Sequence, residues 1–570
     1  MQGMKPENKC RETLQKLYQL REKSAFTEPA EALALLNRFL IEHHQTLQDC
    51  PNNTLRPLVD ELGSLAEALI HRLRLSFKQS SVPLSARARK QLFVLLDSLN
   101  VSEQLFKLEF RLAGTHERYS KGGAEFNEAR ILSVHERLNC KQEHLLALHH
   151  ARVRAVSLLI LDCFQAYVPV PERLYQHLHK VARQAREYLF HKHHQGWVSV
   201  RASYLAILML AMVNPYALRC EDMEEMLDCL RHLSGYVRLR SEPTESMGRY
   251  LDISGRIAPH VAISKGYTAG KRIFVDVEEL FSDKARNDID KGCQHQLDRF
   301  LARLQLFIIP RKTRKKIKSD QEQDQKPWVW VTAGFYSAHQ QLLQQATASG
   351  DKINTRLALS GIDWLGTEDS PARKHNSTAA KKHKPLELNL DRTKPAEDLN
   401  YEGIPKGDRT PKVSFNRPRR WELIDVSDGG LRVRWPEKGK CRIQVGDVMF
   451  IESEGASAQK IDTFYVAVAR WLRHVNEQLD VVDVGVEQFS GQWSAFFAYP
   501  EGARMGQAES WPVFISSTNG KFDYIILPTQ ESLRGQVLRV VDHDGVEQRI
   551  ELGKPIEQDV SYQLMEVACG

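Results

Sequence analysis

The sequence has no long apolar run. Its most apolar stretch, Tyr204 to Val213, falls well short of the ~20 residues a membrane-spanning helix needs. The next, Ala155 to Val168, is also too short and is broken by Asp162. The opening MQGMKPENKCRETLQKL is polar and lacks the apolar core of a signal peptide. These absences predict a cytoplasmic chain with no membrane insertion. Cysteine is sparse: nine residues, scattered singly, without a C-x-x-C pair or regular spacing. That excludes a zinc ribbon or a disulfide framework, and free, mostly buried thiols are expected. Nor is there a G-x-S-x-G elbow, P-loop, H-E-x-x-H or dinucleotide-binding glycine pattern. No enzyme activity, catalytic residue or cofactor is expected. The densest histidine group, His191, His193 and His194 with His177 and His179 nearby, lacks the spacing of a metal site on a helix. It reads as cations at a helix C-terminus, where the dipole favours them.

What the chain does have is an ordinary globular composition: 42% hydrophobic and 26% charged over 570 residues. That length suits several domains. The net charge of +7 is local. Arg311, Lys312, Arg314, Lys315, Lys316 and Lys318 supply six positives, and Arg373, Lys374, Lys381, Lys382 and Lys384 five more. Taking those eleven from +7 leaves −4 elsewhere. Nucleic-acid proteins spread their cations over a folded face interleaved with aromatics, so no nucleic-acid partner is expected. The competing reading, binding through the two basic tracts, predicts salt-dependent affinity for any duplex.

Hydrophobic spacing divides the chain. Residues 1–240 repeat helical patterns: Leu33, Leu36, Phe39 and Leu40 share one face, as do Leu92, Leu95, Leu96 and Leu99. Thr27 is placed to cap the first of these, with Pro29 in its first turn. Asn214-Pro215 ends the most apolar helix. Residues 241–365 mix strand-like pieces (Arg272 to Val277, Leu304 to Ile309, Trp328 to Thr332) with amphipathic stretches, and read as an α/β connector. Trp328-Val329-Trp330 reads as core strand. Residues 366–412 are rich in Pro, Lys and acids and poor in large apolar residues, the composition of a flexible linker. From 413 the period changes to alternation, with short runs punctuated by Gly429, Gly430, Gly446, Gly485 and Gly491. That pattern predicts a small β-barrel over 413–500. Residues 501–570 add a further β-unit, either a separate small domain or a barrel extension. In it Asp544-Gly545 fits a type I′ hairpin turn.

One stretch carries a functional signal: FNRPRRWELIDVSDGGLRVRWPEKGKCRIQVGDVMFIES. Arg417, Arg419 and Arg420 precede a strand, and Asp425, Ser427 and Gly430 form a D-x-S-x-x-G turn after it. Together with Val445-Gly446-Asp447 and the downstream Gly485-Val486-Glu487, this stretch resembles the PilZ domain, a β-barrel many bacteria use to sense cyclic di-GMP. The resemblance implies a C-terminal PilZ-like barrel and a signalling role, with Asp425, Ser427 and Gly430 in the ligand turn. The family's Arg-x-x-x-Arg pair, one strand ahead of that turn, is not matched: Trp421 stands four after Arg417. The guanidinium groups of Arg417, Arg419 and Arg420 are the expected substitutes, because guanidinium can fork onto phosphate and guanine edges and stack on the base. The resulting expectation is a multidomain, non-enzymatic regulator. Its helical domain engages protein partners and its barrel binds cyclic di-GMP, controlling motility, pili or biofilm. Two alternatives stand beside it: a scaffold with a degenerate barrel that binds protein partners only, and a plain β-turn in which Asp425 and Ser427 satisfy their own backbone.

Overall fold

The computed structural model describes residues 6–112 except 79–81 and 83; 131–240 except 190–194; 249–252, 260–261, 272–287, 294, 297–298, 300–301 and 328–348; and 417–568 except 428–429, 436–442, 454–463, 477, 502–509, 519–520, 530–535, 543 and 560. The basic tracts at 311–318 and 373–384, the strand-like piece 304–309 and His191–His194 lie outside the described residues. The chain forms two compact units, residues 1–313 with 473–480, and residues 314–472 with 481–570.

The first unit is helical. In chain order it contains α1 (Pro6–Ala25), α2 (Pro29–Glu42), α3 (His44–Asp49), α4 (Asn52–Lys78), α5 (Ala86–Leu112), α6 (Ile131–Gln165), α7 (Glu172–Leu189), α8 (Gln195–Met212) and α9 (Cys220–Leu233). The i, i+3, i+4 spacing does what it predicts: Leu33, Leu36, Phe39 and Leu40 of α2 are buried together, as are Leu92, Leu95 and Leu96 of α5. Helix α8 stops before Pro215, and Asn214 takes a left-handed φ of 56°. Thr27 does not cap α2. Its hydroxyl donates back to the Lys23 carbonyl at 2.8 Å, finishing α1, while Glu28 is the N-cap residue and makes no side-chain cap. Cys10 and Cys50 are joined by a disulfide, against the expectation of free thiols. The packing of α1 against α3 brings together two positions 40 residues apart in sequence. Cys163, Cys220 and Cys229 are free. After α9 come β1 (Arg238–Arg240), β2 (Arg249–Asp252), β3 (His260–Val261) and β4 (Arg272–Asp276), an antiparallel sheet ordered β1-β4-β2-β3, then α10 (Asp283–Asn287).

A polar knot sits among these helices. Arg152 donates to Glu103 through Nε at 2.6 Å and again through Nη2, and His177 Nε2 lies 2.9 Å from the same carboxylate. Burial alone would raise the Glu103 pKa, but the hydrogen bonds from His177 and Arg152 outweigh it and hold the group down at about 2. A carboxylate lowered in the folded state stabilises it fully above its unfolded pKa, near 4.5, and loses that contribution as pH falls toward 2. Urea unfolding of the helical unit should therefore weaken across that window, and Glu103→Gln should flatten the dependence. An unchanged slope would remove the assignment.

The second unit begins earlier than composition suggests. Strand β5 (Trp328–Ala333) and helix α11 (Phe335–Ala348), which the sequence places in the connector, are followed by β6 (Arg419–Ser427), β7 (Gly430–Trp435), β8 (Val448–Ser453), β9 (Phe464–His474) and β10 (Val482–Gln488). These six strands close a barrel in the order β10-β7-β6-β5-β8-β9. Strand β5 lies between β6 and β8, antiparallel to both. Val329 and Val331 are buried, whereas Trp330 is 37% exposed and Trp328 half-buried, so the tryptophans are not the core of this strand. Residues 492–568 close a second barrel from β11 (Gln492–Pro500), β12 (Trp511–Thr518), β13 (Lys521–Leu527), β14 (Val537–Val541), β15 (Glu547–Gln558) and β16 (Gln563–Ala568). Numbered one to six along the chain, the strands of both barrels follow the same cyclic order, 6-3-2-1-4-5. The predicted type I′ turn is not formed. Gly545 alone has positive φ, 81°, and the Asp542 carboxylate accepts from the N–H groups of Asp544 and Val546. The two barrels share one apolar seam, in which Phe335, Ala338 and Leu342 of α11 meet Val448, Phe450, Val466 and Val468 of the first barrel and Trp493, Phe514 and Ile526 of the second.

Candidate functional site

Strand β6 carries Asp425 to the turn, and β7 leaves it. Ser427 pairs directly with Gly430. On its other side Gly430 faces Glu487 of β10. A Cβ on Gly430 would come within 2.1 Å of the Val486 carbonyl oxygen, so only glycine lets β10 close against the turn.

Alternation along β7 buries Leu431, Val433 and Trp435 and puts Arg432 and Arg434 on the outer side. Arg432 stands between Asp425 of β6 and Gly485 of β10, and Arg434 stands opposite Asp483. The Asp483 side chain is 0% exposed and receives both guanidinium groups. Arg432 donates through Nε at 2.9 Å and through Nη2, and Arg434 through Nε at 2.7 Å and Nη2 at 3.2 Å. Hydrogen bonding to Asp483 holds the Arg434 pKa above its ordinary value. Arg432 also lies 3.7 Å from the Asp425 carboxylate. A paired buried carboxylate of this kind aligns two cations along one wall without neutralising both.

Next to them, β9 supplies an aromatic surface. A Cβ at Gly485 would fall 1.8 Å from Trp471 Nε1 and 2.0 Å from its Cε2, so the half-buried indole lies directly on the glycine backbone. Serine turn, arginine pair and indole thus occupy neighbouring strands in the order β6, β7, β10, β9. Arg432, Arg434, Asp483 and Trp471 were not singled out from sequence. The alternation in LRVRW was visible, but its partners follow about 50 residues later and only the register identifies them.

The structure brings Asp425, Ser427 and Gly430 together at one end of β6. It places Arg417, Arg419 and Arg420, all exposed, at the other. Nine strand residues from Arg419 to Ser427 span roughly 25 Å, beyond the reach of an arginine side chain. Arg420 instead stacks on Trp328, 4.6 Å from the ring centroid, and Arg419 over Trp435 at 5.2 Å. Strand β5 begins at Trp328 opposite Glu422 and runs toward Arg419, away from the serine turn. Among the described residues no group of His, Cys, Asp and Glu has the arrangement of a metal site, and no helix is long and apolar enough to cross a membrane.

Residues 15–244 match the family described as the cyclic-di-GMP receptor FimW, N-terminal domain. The match covers the helical unit up to its first sheet strand, so the receptor resemblance read from the barrel turn has an independent counterpart at the other end of the chain. No curated protein and no solved structure matches the chain.

Proposed function

We propose, from the premise that the helical half is similar to the N-terminal domain of a cyclic-di-GMP receptor, that this chain is a non-enzymatic signalling receptor whose first barrel binds cyclic di-GMP. The register that sets Gly430, Arg432, Gly485 and Trp471 side by side against the serine turn carries this reading. The turn backbone and Arg432 receive a phosphodiester, Arg434 reaches a guanine edge, and the Trp471 indole gives a base its stacking face. Occupancy shifts the population of states that the helical unit presents to protein partners in motility, pilus or biofilm control.

One observation favours the scaffold alternative: both arginines are already engaged by Asp483. Calorimetry on the full chain separates the two. Cyclic di-GMP should give binding heat, and Arg432→Ala should weaken it by about 10- to 100-fold, the value of a charge-assisted hydrogen bond. Arg417→Ala combined with Arg420→Ala should leave it unchanged. Absence of heat from the intact chain leaves the scaffold.

A further inference from the structure

Arg470 and Trp471 are neighbours on β9, and Arg470 reaches from the first barrel to the second. Its guanidinium forks onto Glu557 of β15, with Nη2 donating at 2.8 Å and Nη1 closer still. Nη1 is also 3.3 Å from the Tyr562 hydroxyl, which donates to Glu557 at 2.7 Å. The remaining Nε donates to Glu487, the residue directly across from Gly430. A bidentate fork fixes the plane of the guanidinium as well as its position. The strand that carries the indole is therefore tied at one point to the site's own wall and to a neighbouring barrel.

That neighbouring barrel repeats the topology of the first but not its chemistry. Thr518 pairs with Lys521 across two residues, as Ser427 pairs with Gly430. Counting from these closures, Ser516 takes the place of Asp425, Lys521 that of Gly430 and Asp523 that of Arg432. The copy has a side chain where the site needs bare backbone and an acid where the site has its cation, so it is unsuited to a dianion.

We infer that the second barrel is a positioning part of the first barrel's site: Glu557 and Tyr562, by holding Arg470, fix Trp471 and Glu487 beside the serine turn. The identity of the ligand rests on the reading above; the positioning does not. Glu557 and Tyr562 are positioning residues, since neither lies on the wall that meets the ligand.

The test uses the full chain labelled with 5-fluorotryptophan. Its nine tryptophans give separate fluorine resonances, and the Trp471 signal is assigned by its loss in Trp471→Phe. Glu557→Gln should move the Trp471 signal, and Asp523→Asn, at the copy's counterpart of Arg432, should not. Calorimetry with cyclic di-GMP should show affinity reduced about tenfold by Glu557→Gln at unchanged stoichiometry, as expected when a contact group is misplaced. A Trp471 signal that stays fixed in Glu557→Gln while the melting temperature falls overturns the inference, leaving the network as glue between barrels. If the intact chain gives no heat, the nucleotide reading fails by itself and the fluorine signal alone decides the positioning.

Discussion

A fragment of residues 400–491 should not fold, although it contains every residue of the recognisable barrel motif. Strand β5 pairs with β6 on one side and β8 on the other, so its removal opens the barrel and leaves two unpaired edges. The buried Val329 and Val331 go with it, as do Phe335, Ala338 and Leu342, which fill the seam between the barrels. Losing a whole barrel strand together with a core helix exceeds what the ~5–15 kcal/mol of a typical domain can absorb. The fragment should show no cooperative unfolding in urea, and adding a peptide covering 325–350 should restore it. A sharp transition from the fragment alone would mean that β5 is dispensable.

Asp483→Asn should move stability and affinity in opposite directions. The carboxylate is fully buried and holds two guanidinium groups. Removing one partner of a buried ion pair costs about 3–5 kcal/mol, and here the half-exposed arginines bring the expectation to the lower end, about 3 kcal/mol. The same change releases Arg432 and Arg434 from their internal competitor, so cyclic di-GMP should bind up to about tenfold tighter, the equivalent of one recovered charge-assisted hydrogen bond. Thermal melts and calorimetry on one preparation give both signs. Falling stability with unaltered or weaker binding would show that these arginines do not meet the nucleotide.

These expectations show how unevenly the molecule can be read from its sequence. The helices of the first unit were legible because their signal is local: Leu33, Leu36, Phe39 and Leu40 lie within two turns. The serine turn was legible for the same reason, since Asp425, Ser427 and Gly430 fall within six residues of one hairpin. Strand β5 was visible as a strand, but its partner begins at Arg419, beyond a segment of such different composition that the two looked like separate domains. The arginines at 417–420 stand eight positions or fewer from the turn in sequence, yet an extended strand turns that interval into distance. Arg432 and Arg434 gain their meaning from Asp483, and Trp471 from the missing side chain of Gly485, both set by a register that no local pattern encodes. The Cys10–Cys50 bond likewise depends on helix packing rather than on spacing.

The chain leaves β5 at Ala333 and returns at Arg419, which pairs with Val331, so residues 349–416 are spliced between two adjacent staves of a finished barrel. Ring-closure entropy grows only logarithmically, and doubling such an excursion costs about 0.6 kcal/mol. Lengthening or shortening that excursion should therefore cost the barrel little stability. An engineer could likewise graft a fluorescent reporter there and expect the barrel to assemble unchanged.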